Sequence, residues 1–182
     1  MSGCAGVAMK PKRMKRRSDQ RNMSLETDTV LAEMDKAVEM YHRLVLVVAP
    51  SGAGKTAVLQ AVARKRAVPC TNVNLELSKR MLDLTTKQRA IHAAEVLREV
   101  VENADGDTAV LDNLEILFDR SLHLDPLRVL KELARQNTVV ASWNGRIDDH
   151  GLTYGDPDHP EYRLYPTSEL DFLHVTTEGE QG

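Results

Sequence analysis

Apolar residues along this chain follow two alternating periods. Leu44-Val45-Leu46-Val47-Val48 is a short, unbroken apolar run, the pattern of a strand covered on both faces. Thr108-Ala109-Val110-Leu111-Asp112 and Thr138-Val139-Val140-Ala141-Ser142-Trp143-Asn144 read the same way, and a further strand is expected over about 69–76, containing Asn72-Val73-Asn74-Leu75. Between these runs the apolar positions take helical spacing. Residues 28–42 place Val30, Leu31, Met34, Ala37, Val38 and Tyr41 on one face, and a helix over about 86–103 does so with Ile91, Ala94, Leu97 and Val101. Asp125-Pro126 supplies a cap and a proline at the first helical position. The helix it opens runs to about 136 with Leu127, Leu130, Leu133 and Ala134 facing inward. Leu170–Val175 reads as a last strand, while 145–168 is dense in Gly, Pro and Asp and fits a projecting hairpin flanked by Leu152-Thr153-Tyr154 and Tyr162–Tyr165.

Strands alternating with helices predict an α/β sandwich of three layers around a mostly parallel sheet of about five strands. A chain of 182 residues suits one such domain, expected over 24–176, with 177–182 frayed. Charge separates a tail from it. Residues 1–22 hold seven of the 24 Lys and Arg (Lys10, Lys12, Arg13, Lys15, Arg16, Arg17 and Arg21) against one acid, Asp19. The remainder, with 17 basic and 26 acidic residues, carries −9. Residues 1–23 are therefore expected to be a disordered basic tail, a candidate contact for DNA phosphates.

Cys4 and Cys70 form neither a disulfide framework nor a metal pattern, and the six histidines are scattered without ligand spacing. The basic start lacks the apolar stretch of a signal peptide, and no apolar run approaches the roughly 18 residues of a membrane span. The expectation is a cytoplasmic protein without membrane contact.

The sharpest chemical signal follows the first apolar strand: Ala49-Pro50-Ser51-Gly52-Ala53-Gly54-Lys55-Thr56, then Ala57 and a helix over about 55–66. Gly52 and Gly54 let the backbone turn several N–H groups onto one anion, and the helix adds its positive end. Lys55 is expected to reach the β- and γ-phosphates of ATP, and the Thr56 hydroxyl to ligate Mg2+. This predicts a P-loop NTPase core, although Ala49 stands where the strict motif has glycine. In such sheets ligands gather at the carboxyl ends of the strands. Asp112 ends one strand and is a candidate to hold magnesium, directly or through water; read blandly, it caps a turn. Asn144 ends another and is a candidate partner for the γ-phosphate or the attacking water; Asn144-Gly145 is equally a turn pair. The residue after Asp112 is Asn113, not the glutamate of many hydrolysing P-loop proteins, so Glu115 is the candidate catalytic base. It reads equally as an acid at a helix start. An arginine supplied in trans by a second copy could come from Arg120, Arg128, Arg135 or Arg146, with Arg135 preferred.

Three segments, Asn72-Val73-Asn74-Leu75-Glu76-Leu77-Ser78, Leu111-Asp112-Asn113-Leu114-Glu115-Ile116-Leu117-Phe118 and Val139-Val140-Ala141-Ser142-Trp143-Asn144-Gly145, together resemble BrxF, the small P-loop family of type III BREX phage-defence systems. Leu152-Thr153-Tyr154 and His159-Pro160-Glu161-Tyr162 fit the same family, and the likeness covers about 40–175. It implies an AAA-like or related P-loop core and a bacterial anti-phage role beside the other subunits of a complex that recognises and modifies DNA. Three activities follow as expectations: an ATPase driving such a complex, a weakly hydrolysing nucleotide switch or scaffold, and a small-molecule kinase. A kinase would want an arginine-rich lid, and 145–168 offers only Arg146 and Arg163.

Overall fold

The structure, a computed structural model, describes residues 12–102 and 106–177, with the backbone alone for 12–22 and 25. The elements in chain order are α1 (Lys12–Ala37), β1 (Leu44–Ala49), α2 (Lys55–Arg66), β2 (Cys70–Asn72), α3 (Val73–Arg80), α4 (Thr86–Glu102), β3 (Thr108–Asp112), α5 (Pro126–Leu133), β4 (Thr138–Asn144), β5 (Ile147–Asp148), β6 (Gly151–Tyr154), β7 (Arg163–Pro166) and β8 (Leu173–Thr176). Five strands form one sheet in the order β2-β3-β4-β1-β8, every pairing parallel. The three-layer α/β architecture expected from the sequence is therefore the one observed.

Alternation along the strands divides the core in two. Val45, Val47, Val110, Val140 and Val175 pack with Val30 and Met34 of α1 and Val58, Leu59 and Val62 of α2. Leu44, Leu46, Val48, Leu111, Ala141 and Trp143 point the other way, into a larger cluster with α3, α4 and α5. Successive strand residues face opposite sides, so a run apolar at every position needs cover on both, and it has it. The polar ends of β3 and β4 therefore inherit a side: Asp112, two residues past Val110, and Ser142, two past Val140, face the layer in which α2 begins.

The helix expected over 28–42 spans Lys12–Ala37, so residues 12–23 are helical where disorder was expected; Lys, Arg, Gln and Met favour helix and no Pro or Gly interrupts them. The rest of the expected tail, 1–11, lies outside the described residues, as does most of the expected frayed end. Val38 and Tyr41 fall past the helix and are exposed. The strand expected to 76 stops at Asn72, whose Oδ1 accepts the Leu75 amide at 2.9 Å and opens α3, a helix cap. Ile91 is exposed rather than inward-facing.

The segment 145–168 does not project. It forms the antiparallel sheet β5-β6-β7, folded onto the core through Leu152, Tyr154 and Tyr165. The Trp143 ring meets Phe118 and Tyr165 edge to face at 5.2 and 5.7 Å, and its Nε1 donates to the Thr153 carbonyl at 2.8 Å. No helix among the described residues is long and apolar enough to cross a membrane.

Candidate phosphate-binding site

β1 is buried along its whole length between β4 and β8, which fixes the point where the chain leaves the sheet. The turn that follows needs left-handed backbone at Gly52 (φ 80°) and Gly54 (φ 83°). A side chain at either position would be strained, and a Cβ there meets nothing within 4 Å. Conformation rather than crowding therefore demands these glycines, and the space beside them is open. Gly54 caps α2 without a side-chain hydrogen bond, leaving the first amides of the helix directed at the opening.

Lys55 begins α2 and is 6% exposed. Its Nζ donates to the Ala49 carbonyl at 2.8 Å and the Pro50 carbonyl at 2.6 Å. Burial pushes its pKa below the usual lysine value, opposed by the negative charges of Asp112 and Glu115. Both acids are thus close enough to feel the ammonium, though they lie on different elements.

One cleft gathers Ser51, Gly52, Gly54, Lys55, Thr56, Asp112, Asn113, Glu115, Ser142 and Asn144. Strand order explains the convergence. β4 sits between β1 and β3, with Ala49 opposite Asn144 and Leu111 opposite Ala141, so the ends of the three strands rim one opening. Asn144 Nδ2 donates to Glu115 Oε1 at 2.7 Å. Glu115 opens a 3₁₀ turn (Glu115–Phe118), reached through Asn113, which takes left-handed backbone at φ 55°. Asparagine tolerates that conformation better than glutamate, which accounts for an acid two residues later rather than directly after Asp112.

Of the expected site residues, Ser51, Gly52, Gly54, Lys55, Thr56, Asp112, Glu115 and Asn144 line the cleft. Ala49, Pro50, Ala53 and Ala57 do not. Ala49 and Pro50 offer their carbonyls to Lys55, and the Ala57 amide is already bonded to the Gly54 carbonyl at 3.0 Å. Ser142 was missed; the signal was its place two residues before Asn144, on the same side of one strand. The preferred trans arginine, Arg135, lies where the chain enters β4, with its guanidinium 5.2 Å over the Tyr41 ring. That is the edge of the sheet opposite the loop. Cys70, on β2, has its thiol pushed up to about 11, first by burial and then by the Asp112 charge.

The oxygens of Thr56 and Asp112 share this cleft, a donor set that suits magnesium, which takes few protein ligands and keeps several waters. Among the described residues no group of three or more His, Cys, Asp or Glu is placed to hold a metal ion.

Parallel sheet, glycine-turned loop and the helix starting at Lys55 define an α/β P-loop fold. Among solved structures the chain is similar to AMPPCP-bound DnaA from Aquifex aeolicus, at 15% identity and a TM-score of 0.45, over 83% of this chain and 44% of that one. It is also similar to a DNA replication initiation factor, at 17% identity and 0.49, over 87% and 46%. The chain thus spans less than half the length of both. No protein-family model and no curated protein matches it.

Proposed function

We propose that this chain binds ATP with magnesium in the cleft at Lys55 and hydrolyses it, as a subunit of a bacterial BREX-type anti-phage defence complex. The observation that carries the nucleotide reading is the convergence of Lys55, Thr56, Asp112, Glu115 and Asn144 on one opening beside a glycine-turned helix start. In this reading the free amides of α2 and the Lys55 ammonium hold the phosphates, and Thr56 and Asp112 hold magnesium. The ion supplies neutralisation of charge on the phosphate oxygens. Glu115 takes the proton of the attacking water, and Asn144, already bonded to Glu115, holds that carboxylate toward the phosphate end.

The defence role rests on the three segments that resemble BrxF. Two of them carry Asp112, Glu115 and Asn144 of the cleft, and the third supports it from behind, the Asn74 amide of α3 donating to the Asn113 carbonyl at 3.0 Å. The partners are then the other subunits of that complex and further copies of this chain. DNA contact runs through residues 10–21 and weakens steeply with salt, as phosphate contacts do. Deleting residues 1–22 without loss of salt-sensitive DNA retention would exclude that route.

A second reading, a switch that holds ATP and barely cleaves it, is favoured by one observation: the Asn144 amide engages one of the two Glu115 carboxylate oxygens, Oε1, which a catalytic water would otherwise use. Turnover separates the two. Glu115→Gln is expected to lower kcat by about 10²-fold or more, the scale of a general base, with ATP affinity retained. A wild-type rate no higher than that of Lys55→Ala would exclude the ATPase and leave the switch.

A further inference from the structure

Ser142 is 5% exposed, lines the cleft, and has no hydrogen-bond partner for its hydroxyl among the described residues. The hydroxyl is not among the buried polar atoms left without a partner; it opens on the cleft, so its hydrogen-bonding capacity is directed at whatever occupies that space. Its position is defined by register. Leu111 lies opposite Ala141, so the next row sets Ser142 beside Asp112, one interstrand spacing of roughly 4.8 Å away. Both face the side on which α2 begins with Lys55 and Thr56. On its other flank Ser142 lies opposite Val47 of the strand that feeds the loop. It thus stands between the expected magnesium carboxylate and the phosphate loop, with donor and acceptor capacity unused.

We propose that Ser142 is a positioning residue for magnesium: with nucleotide bound, its hydroxyl donates to the Asp112 carboxylate and accepts from a metal-bound water. The inference rests on the magnesium–ATP reading of the cleft. It places the unpartnered hydroxyl where a metal that keeps its waters needs an outer partner.

The test is a titration of a fluorescent ATP analogue into wild type, Ser142→Ala and Ser142→Thr, with magnesium varied and again in EDTA. Thermal melts of the free proteins serve as the folding control. Ser142→Ala is expected to raise the magnesium concentration for half-maximal tight binding about tenfold or more, the weight of one hydrogen bond to a charged group. Its affinity in EDTA should match wild type, and Ser142→Thr should restore the magnesium response. Should alanine fail to fold, the near-isosteric Ser142→Cys reads the same shift. An unchanged magnesium midpoint overturns the proposal, as does an equal loss with and without the metal, which would make Ser142 a mere wall of the cleft. Wild type that fails to bind the analogue at all would instead overturn the nucleotide reading on which the proposal depends.

Discussion

Lys55→Ala is expected to weaken ATP binding by about 10²-fold or more while leaving the free protein folded and about as stable as wild type. The two halves of this result have separate causes. The ammonium is nearly buried, and its present bonds are to the Ala49 and Pro50 carbonyls. Neither carbonyl is orphaned when it leaves, because Ala49 also accepts the Gly145 amide at 3.2 Å and Pro50 the Ala53 amide at 3.3 Å. The substitution also removes a charge whose burial is unfavourable, as its depressed pKa records. Gain and loss in the free protein therefore oppose each other, within about 1 kcal/mol. Nothing offsets the loss in the complex. Two charge-assisted bonds to phosphate, each about 1.5–3 kcal/mol, vanish together. Isothermal titration with ATP and a thermal melt measure the two halves. A mutant that binds normally would remove Lys55 from the phosphate site, and one that unfolds would make it a structural residue.

The same lysine sets a pH dependence. Phosphates favour its charged form, so ATP binding raises its pKa and takes up a proton at alkaline pH. Affinity should then fall as pH rises through the Lys55 pKa of the free protein, which lies below the usual lysine value of 10.5. Lys55→Arg, which stays charged, should flatten that fall in a titration series.

Much of this site was legible before the fold, for a physical reason. A strand buried on both faces must be apolar at every position, so β1, β3 and β4 stand out, and a polar residue ending such a run stands at the sheet's edge. That logic placed Asp112 and Asn144 correctly, and it gave α2 and β4 the bounds the structure has. It failed where a short pattern fits two periods. Asn72-Val73-Asn74-Leu75 alternates like a strand, yet one side-chain cap at Asn72 makes it a helix. In α4 the buried stripe is Ala93, Leu97, Val100 and Val101, and Ile91 sits about 120° around the helix from Leu97. The β5-β6-β7 sheet is built of strands of two to four residues, too short to show a period, and its aromatic residues find their partners only across the fold. The bond between Asn144 and Glu115 joins residues 29 positions apart; spacing carries no trace of it. Ser142 was hidden by the rule that found its neighbours, since a lone serine in an apolar run passes for core.

Gly145→Ala is expected to destabilise the fold through steric overlap alone. Asn144-Gly145 reads in the sequence as a turn pair, but Gly145 does not take left-handed backbone. Its glycine is needed for space. A Cβ there would lie 1.8 Å from the Thr153 carbonyl oxygen, 2.7 Å from the carbonyl carbon and 3.2 Å from Trp143 Nε1. The obstacle is backbone of β6, which cannot rotate aside. Relieving the overlap means drawing β6 away from β4, and that strains the Trp143–Thr153 bond and the Gly155 amide's bond to the Asn144 carbonyl at 3.0 Å. Overpacking costs roughly 1–3 kcal/mol, and a buried indole N–H left without a partner adds about 1–3 more. For a chain of this size that lowers Tm by about 5–15 °C. A control at Gly106 isolates the cause: its φ of 98° strains any side chain, but a Cβ there meets nothing within 4 Å, so Gly106→Ala should lower Tm by less. Equal losses at the two positions would mean that steric closure at the end of β4 is not what Gly145 supplies. The Asn144 carbonyl holds β6 while its amide holds Glu115, so a shift of the small sheet moves the carboxylate. Gly145→Ala that still folds at low temperature should therefore lose ATP turnover more than ATP affinity, because the phosphate loop itself lies on the other side of β4, anchored by β1 and α2.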